Sequence, residues 1–382
     1  MNSVYLSHNN IVSSLGFDSA TVVDAISAEI SGLQLVEDMS ILDRPFYSSM
    51  ISEDALNAAF EKLDKRKIIR FTRLEKMMSV SLNKVLAAAR IELTDRVGLI
   101  VSTTKGNIDV LEADSQFPKE RAYLSALGVQ LKNHFGFETD VVVLSNACVS
   151  GVLALAVAKR LIRQDKYDHV LVVAGDLVTP FILSGFNSFQ ALSDGPCRPY
   201  CKTRSGINIG EVTTSVLVTN DKNRLVDESV EILGEASCND ANHISGPSRT
   251  GEGLFQSVTS ALREAQLSPE DIDYLSAHGT ATQFNDEMEA IAFNRVGLQQ
   301  APLNSLKGYF GHTLGASGLL ETIIGMHSLW RNTLFACKGF RELGVSQPLN
   351  IIETTTPKTM DIFLKTASGF GGSNTAAVFR KV

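Results

Sequence analysis

Short apolar runs rich in β-branched residues alternate with helical stretches along most of this 382-residue chain. The runs have the length of strands and cover residues 97–103, 141–145, 169–175, 213–219, 272–278, 362–368 and 375–381. Continuous apolar strands that alternate with helices are typical of sheets covered on both faces. The pattern therefore predicts an α/β fold with mostly buried sheets.

Two stretches of the chain resemble each other, which suggests an internal duplication. Residues 82–107 and 258–283 each contain a helix, a short loop with an acidic residue, and a strand followed by Thr and Gly. A polar segment at 219–229 separates them, and the chain is long enough for two domain-sized units or one duplicated unit. We predict two similar halves, residues 1–222 and 223–382, although two amphipathic helices can also match by chance.

Charge and cysteine content exclude several classes of protein. The net charge of −7 argues against nucleic acid as the main partner, because phosphate binding needs a basic surplus. The five cysteines are an odd number without framework spacing, which is typical of a reducing compartment. Cys197 and Cys201 are interpreted as structural, and no metal site is predicted, because no second Cys or His pair follows at suitable spacing. With neither a signal peptide nor an apolar run of roughly 20 residues, the sequence predicts a cytoplasmic protein without a membrane segment.

Cys148 lies where the β-branched run 141–144 changes into a helical pattern. A cysteine at the first turn of a helix faces unpaired N–H groups and the positive end of the helix dipole, which favour the thiolate. Most free cysteines are small buried hydrophobes, however. From this stretch alone, a reactive thiol and a structural one both stay open.

The second half of the chain carries two histidines beside glycine-rich segments. His278 ends a predicted strand and precedes Gly279, while Lys307 and His312 precede a helix of small residues. Strand ends in α/β folds face crevices in which ligands bind. Each histidine alone is more often a structural hydrogen-bonding group, and a glycine-rich turn with one Phe (Phe370) is usually only a turn. The coincidence of all these groups at element ends indicates a catalytic site.

Four segments together resemble the active-site blocks of β-ketoacyl-(acyl-carrier-protein) synthases of the elongating type. They are NACVSG (146–151), AHGTATQFNDEMEA (277–290), KGYFGHTLGASGLLE (307–321) and GFGGSN (369–374). The similarity extends to residues 67–74 and 191–211, so it covers nearly the whole chain. It implies the thiolase-like α/β fold, a duplicated five-layer α-β-α-β-α arrangement.

The resemblance implies a catalytic role for five residues: Cys148, His278, His312, Lys307 and Phe370. Cys148 would be the nucleophile that takes the acyl chain from a carrier protein, with the backbone N–H groups of Cys148 and Phe370 binding the oxyanion. His278 and His312 would stabilise the enolate left when the malonyl thioester loses CO₂. The implied reaction is a decarboxylative Claisen condensation that gives a β-ketoacyl-carrier product for fatty acids, polyketides or polyenes.

Further positions match residues that support this chemistry in the family. Lys307 would stand beside the second histidine with Glu321 as its ionic partner, since a buried lysine without one is costly. Thr280 and Thr282 match contacts to the pantetheine arm, and the Phe370 side chain matches a gate over the cysteine. Ordinary capping or packing stays open for Glu321 and both threonines. No cofactor is implied, because the phosphopantetheine arrives on the acyl-carrier protein.

The basic segment 62–76 is similar to the docking region for the acidic carrier. The candidate docking residues are Lys65, Arg66, Lys67 and Arg70, and the alternative is a solvated helix face. Two departures bear on the substrate: Ser368 replaces a usual aromatic residue, and the segment 103–140 is shorter than in relatives, where it helps to form the dimer interface and the acyl tunnel.

Other activities with related motifs fit the sequence less well. A thiolase needs a second cysteine in GFGGSN, and a chalcone-type enzyme pairs Cys with His and Asn. A cysteine hydrolase gives no reason for the second histidine and the lysine. A catalytically limited partner subunit, resembling a chain length factor or acting only as a decarboxylase, stays open as the alternative, although such relatives lose the cysteine. A homodimer or a heterodimer with a related subunit is expected, while acyl length and pathway are not determined.

Overall fold

The computed structural model describes residues 3–64, 70–241 and 246–382. Its helices are α1 (Ser19–Ser27), α2 (Glu53–Asp64), α3 (Arg73–Ala89), α4 (Leu124–Phe135), α5 (Ser150–Arg163), α6 (Pro180–Ser188), α7 (Glu252–Ala265), α8 (Gln283–Val296), α9 (Lys307–Phe310) and α10 (Ser317–Arg331). Its strands are β1 (Tyr5–Val12), β2 (Gln34–Val36), β3 (Phe46–Ser49), β4 (Val97–Ser102), β5 (Val142–Leu144), β6 (His169–Asp176), β7 (Ile209–Gly210), β8 (Val212–Thr219), β9 (Val230–Asn239), β10 (Tyr274–Ser276), β11 (Pro302–Asn304), β12 (Thr333–Leu334), β13 (Asn350–Ile351), β14 (Thr356–Pro357), β15 (Ile362–Gly369) and β16 (Ser373–Lys381).

Every predicted strand is present, as β4, β5, β6, β8, β10, β15 and β16. Strand β1, which lies at the middle of the large sheet, was not predicted from the sequence. Its central residues Ser7, His8, Asn9 and Asn10 are polar, so it lacks an apolar run. β5 differs from the predicted buried strand. It is an edge strand of the sheet and is only half-buried.

The large sheet shows the duplication directly. Its strand order is β13-β11-β10-β15-β16-β9-β1-β8-β6-β4-β5, with β1 and β9 paired antiparallel at the centre. Outward from that centre, β1-β8-β6-β4-β5 and β9-β16-β15-β10-β11 repeat one pattern of two antiparallel and then two parallel pairings. The stretches 82–107 and 258–283 therefore occupy corresponding positions, and their strands are β4 and β10. The boundary at 222/223 stays a proposal that this repeat supports.

Helices cover both halves of the sheet and also lie between them. α5 contacts β4, β6 and β8 of the first half as well as β9, β15 and β16 of the second, and α10 packs against α5. α3 packs on the far side of the first half, and α7 packs on the far side of the second. This confirms the predicted five-layer α-β-α-β-α order, with α5 and α10 as the central layer.

Two glycines allow the central helices to pack backbone against backbone. A Cβ on Gly151 would lie 2.5 Å from the Leu319 nitrogen, and one on Gly318 would lie 2.7 Å from the Val152 nitrogen. Larger residues would separate α5 from α10. Because Cys148 precedes α5 and His312 precedes α10, this contact brings the two residues together.

Among the described residues, no helix is long and apolar enough to cross a membrane.

Candidate active site

Cys148 lies on a tight turn between β5 and α5. Ala147 before it has a positive φ of 43°, and α5 begins two residues after it, at Ser150. The Ser150 hydroxyl accepts from the Asn146 N–H at 2.8 Å and donates to the Ala147 carbonyl at 2.6 Å. The turn presents the thiol in front of the helix N-terminus rather than within its first turn, and Cys148 is 8% exposed.

The expectation that this position favours the thiolate is wrong. Burial raises the pKa of the Cys148 thiol to about 11, although Lys307, Lys105 and a hydrogen bond from the Phe370 N–H act in the opposite direction. The free energy needed to move an ionised sulfur out of water is larger than the stabilisation that these groups give the thiolate in the buried site. At neutral pH Cys148 is therefore a thiol.

Alkylation of Cys148 by iodoacetamide should be slow at pH 7 and should rise about tenfold per pH unit up to pH 9.5, because only the thiolate reacts and its pKa is about 11. The measurement is the mass of the Cys148 peptide after timed alkylation, with the half-exposed Cys238 peptide as a reference for reagent loss. A rate that already levels off between pH 7 and 8 would contradict the raised pKa.

His278 follows β10 and is held through its backbone and its ring. Glu289 accepts the N–H groups of His278 and Gly279 at 2.9 and 2.7 Å. The Lys307 ammonium donates to the His278 carbonyl and lies 3.4 Å from Nδ1 of the ring. Since an ammonium can only donate, Nδ1 is the acceptor and the ring proton lies on Nε2.

His312 is fixed in the same tautomer. Its Nδ1 accepts the Leu314 N–H at 3.1 Å and contacts the Ser317 hydroxyl at 2.9 Å. Gly311 before it has φ 69° and lies against the backbone of Asn208, which no larger residue could do. The proton is therefore on Nε2, which is buried without a hydrogen-bond partner among the described residues.

Cys148, His278 and His312 converge on one point. A ligand atom of each lies within 4.8 Å of the others, and the two rings meet edge to face with centroids 5.1 Å apart. Burial, followed by the charge of Lys307, holds both histidine pKa values well below the usual range, so both rings are neutral. A Cys-His-His set can bind zinc, but here both Nδ1 atoms are acceptors and Nε2 keeps the proton. The geometry favours two N–H donors beside a thiol.

A buried charge network lies behind the histidines, and the sequence predicted only part of it. Glu321 lies 2.8 Å from the Lys307 ammonium, as expected, and its other oxygen lies 2.7 Å from the Lys365 ammonium. Asp176, at the end of β6, accepts the Gly315 N–H at 2.8 Å and the Thr103 hydroxyl at 2.8 Å. Lys365 and Asp176 were not predicted as site residues, although each is a charged residue within an apolar strand.

Two cavities meet at Cys148, and Phe370 lines both. The first, of about 370 Å³, is also lined by His278, His312, Thr280 and Thr282. The second, of about 470 Å³, is mainly apolar. It is lined by residues of α6 and of several loops around it, including Phe181, Ile182, Phe186, Phe189 and Leu314. The Phe370 ring contacts Phe186 and Phe189, with centroids 5.7 and 5.4 Å apart.

Of the remaining predicted site residues, some line the first cavity and others lie outside the described part of the chain. Thr280 and Thr282 hydrogen-bond to each other at 2.8 Å, and Thr282 also caps α8, so cavity lining and capping coexist. Ser368 lines the first cavity and donates to Asn374 at 2.8 Å. Of the candidate docking residues, Arg70 is exposed, whereas Lys65, Arg66 and Lys67 lie outside the described residues.

Two family models match the chain. "Beta-ketoacyl synthase, N-terminal domain" matches residues 37–223, and "Beta-ketoacyl synthase, C-terminal domain" matches residues 230–340. A putative mitochondrial 3-oxoacyl-[acyl-carrier-protein] synthase of Schizosaccharomyces pombe is 27% identical over 66% of this chain and 64% of that protein. The tetracenomycin polyketide synthase ketoacyl synthase alpha subunit of Streptomyces glaucescens is 32% identical over 64% of this chain and 61% of that protein. Both alignments span less than two thirds of the relative.

Solved structures match the whole chain. A ketosynthase (ApeO) from Xenorhabdus doucetiae, in complex with its chain length factor (ApeC), has a TM-score of 0.88 at 24% identity, covering 100% of this chain and 98% of that chain. A β-ketoacyl synthase from Burkholderia phymatum has a TM-score of 0.88 at 22% identity, covering 100% of both chains. At these identities the similarity shows the fold, which is the thiolase-like fold that the sequence predicted.

Proposed function

The chain belongs to the β-ketoacyl synthase family, and we propose that it condenses an acyl group held on Cys148 with a malonyl group held on an acyl-carrier protein. The observation that carries the proposal is the convergence of the Cys148 thiol with His278 and His312 where two cavities meet. One cavity can hold an acyl chain while the other admits the second thioester.

In the first half-reaction, Cys148 exchanges with the carrier thioester. Its sulfur forms the new acyl bond, the carrier thiolate leaves, and that thiolate takes the proton that Cys148 loses. The tetrahedral oxyanion requires fixed donors. The Phe370 N–H already points at the Cys148 sulfur, which supports its role beside the Cys148 N–H.

In the second half-reaction, the malonyl carboxylate leaves as CO₂ and its electrons form an enolate. The enolate oxygen is stabilised by the N–H donors of His278 and His312, because both rings are neutral with their protons on Nε2. The enolate carbon attacks the acyl carbonyl and expels the Cys148 thiolate, which takes up one proton. The raised pKa of Cys148 favours that recapture.

The apolar cavity along α6 is the proposed acyl site, and Gly185 offers a way to test it. A Cβ at this position would meet nothing within 4 Å. Gly185→Leu should therefore fill part of the cavity without displacing the backbone and should shorten the longest acyl chain accepted. The readout is Cys148 acylation across a series of chain lengths, with Gly195→Leu, which also has open space but lies outside the cavity, as control. An unchanged length profile in Gly185→Leu would place the acyl chain elsewhere.

An acyl-carrier protein is the proposed partner, and the basic segment 62–76 is the proposed docking surface. Its support is the charge of the segment, the acidic character of carriers and the exposure of Arg70. Reversing the charges of Lys65, Arg66, Lys67 and Arg70 should raise the KM for the carrier several-fold, more strongly at low salt, and leave reaction with small thioesters intact. Equal loss with both substrates would contradict this docking surface.

The assembly and setting are part of the same proposal. We place the enzyme in the cytoplasm as a homodimer, with the five cysteines as free thiols and no cofactor of its own beyond the carrier's phosphopantetheine. The alternative is a catalytically limited subunit of a heterodimer, which gains support from similar structures described as ketosynthases with a chain length factor. The product serves fatty acid or polyketide synthesis.

Intact mass after mixing the protein with saturated and unsaturated acyl-carrier proteins tests the proposal, with Cys148→Ala as control. A Cys148-dependent acyl adduct, followed by a β-ketoacyl-carrier product after addition of malonyl-carrier, is the expected result. No adduct from any donor would favour the partner subunit.

A further inference from the structure

Lys365 is a fully buried lysine on β15, directly behind the catalytic histidines. Its Nζ donates to the carbonyls of Ser276 and Ala277 at 3.1 Å each and lies 2.7 Å from Glu321 Oε2. A neutral amine has only two N–H groups, so its lone pair would face the carboxylate. Burial lowers the pKa of Lys365, and the charge of the adjacent Glu321 carboxylate acts in the opposite direction. With two carbonyls and a carboxylate around it, we assign Lys365 as an ammonium.

Glu321 is shared between two lysines, one on each oxygen. Lys307 lies 2.8 Å from Oε1 and Lys365 lies 2.7 Å from Oε2. All three side chains are at most 3% exposed, so water screens this cluster little. Two ammoniums and one carboxylate leave one positive charge that the cluster does not neutralise.

The cluster also fixes the chain that carries His278. Lys365 binds the carbonyls of Ser276 and Ala277, and Lys307 binds the next carbonyl and the Nδ1 atom of His278. Without Lys365, Lys307 would be the one cation paired with Glu321 among the described residues, and Glu321 would draw it away from the ring. The contacts therefore form a chain: Lys365 contacts Glu321, Glu321 contacts Lys307, and Lys307 contacts Nδ1 of His278.

We propose that Lys365 is a positioning residue for condensation: it holds Glu321 so that Lys307 stays on His278 Nδ1, and its ammonium leaves the buried cluster with one net positive charge. The proposal rests on the proposed function for its chemistry and on the contacts of Lys365 for its assignment. Both lysines lower the pKa values of His278 and His312 after the larger effect of burial. Loss of the Lys365 charge should therefore raise both values.

The groups that bear on the two rings come from several elements. They are Lys307 on α9, Lys365 on β15, Glu321 on α10, Glu289 on α8, Asp176 on β6 and Cys148 before α5. Glu289 and Asp176 are bound by backbone N–H groups of the two histidine segments. In the described part of the chain, Lys365 hydrogen-bonds to neither histidine ring and accepts no N–H group from the segments that carry them. Its contacts are with Glu321 and the carbonyls of Ser276 and Ala277.

The test compares Lys365→Met with Lys159→Met. Lys159 is a matched control because it is 1% exposed and pairs with Glu264 at 2.7 Å, outside both cavities. Lys365→Met should lower condensation about tenfold, less than the roughly 10²–10³ expected for a direct donor. Cys148 acylation and the KM for malonyl-carrier should stay within about twofold, and Lys159→Met should change none of these.

A second readout does not need activity. With histidines labelled at ring carbons, NMR titration should show His278 and His312 protonating at higher pH in Lys365→Met and at the wild-type pH in Lys159→Met. The double variant Glu321→Gln/Lys365→Met leaves one ammonium, Lys307, and so restores the net charge. The pKa values of His278 and His312 in the double variant should return toward those of the wild type. If Lys365→Met folds poorly, the double variant provides the titration in its place.

Unchanged histidine titration in Lys365→Met, or a fall in acylation as large as the fall in condensation, would overturn the proposal. Failure of the proposed function is a separate result, because it would appear as absence of the acyl adduct in the wild-type protein while the histidine titration still responds to Lys365.

Discussion

Replacing His312 with alanine is expected to lower the condensation rate by roughly 10²–10³ while Cys148 acylation stays within a few-fold of the wild type. The His312 Nδ1 is occupied by the Leu314 N–H, so the ring can offer the site only its Nε2 proton. That donor has no partner among the described residues. One nitrogen of the His312 ring lies within 4.8 Å of the ligand atoms of Cys148 and His278. The Nε2 proton is thus available to an oxygen that becomes negative during decarboxylation.

His327→Ala is the matched control for this experiment. His327 is also buried, but its Nε2 contacts Asn9 at 3.1 Å and it lines neither cavity. Acylation is read from intact mass, and condensation from the carrier product. If His312→Ala lowered acylation as much as condensation, His312 would instead be the base that activates Cys148.

Replacing Glu321 with leucine is expected to cost about 3–5 kcal/mol of unfolding free energy, since it removes the carboxylate that two buried ammoniums contact directly. Lys307 and Lys365 are both 0% exposed, so neither can regain water without moving its helix or strand. The measurement is urea unfolding, read from the first transition. Glu321→Leu/Lys365→Met should recover part of the loss because one unpaired charge is removed.

Glu264→Leu is the control for this loss, because Glu264 also pairs with two cations. Its partners are Lys159 and Arg163, but its side chain is 35% exposed and water replaces part of what is lost. A smaller destabilisation is therefore expected. A loss below about 1 kcal/mol for Glu321→Leu would contradict the buried network and leave at least one lysine neutral.

The sequence predicted six of the seven apolar strands because their side chains are mostly buried on the sheet, where hydrophobic pattern and structure coincide. The seventh, β5, has the same apolar run although it is only half-buried. Strand β1 was not predicted because the polar groups of that strand find partners elsewhere in the chain. Ser7 donates to the Arg224 carbonyl, and the Asn9 side-chain oxygen contacts the His327 ring nitrogen Nε2 at 3.1 Å. Such contacts span more than 200 residues of sequence, and no local pattern records them.

The site residues likewise divide into those predicted from the sequence and those that only the structure identified. Cys148, His278, Lys307, His312 and Phe370 were predicted from motifs, and the fold brings them to one point. The Cys148 protonation state was predicted incorrectly because the turn and the adjoining helix suggest a thiolate, whereas the depth of burial sets the pKa. Lys365 was not predicted because the role of a charged residue in a strand depends on its acceptors, which only the folded chain shows.

The sequence alone thus predicted the α/β fold class from its pattern of apolar strands. It predicted the family and the candidate reactive groups from the resemblance of four segments to known active-site blocks. Only the tertiary structure decided which tautomer each histidine holds, how many ammoniums share Glu321, and that two cavities meet at Cys148. These properties depend on distances between segments far apart in the chain, and on how much water the folded chain leaves around each charge.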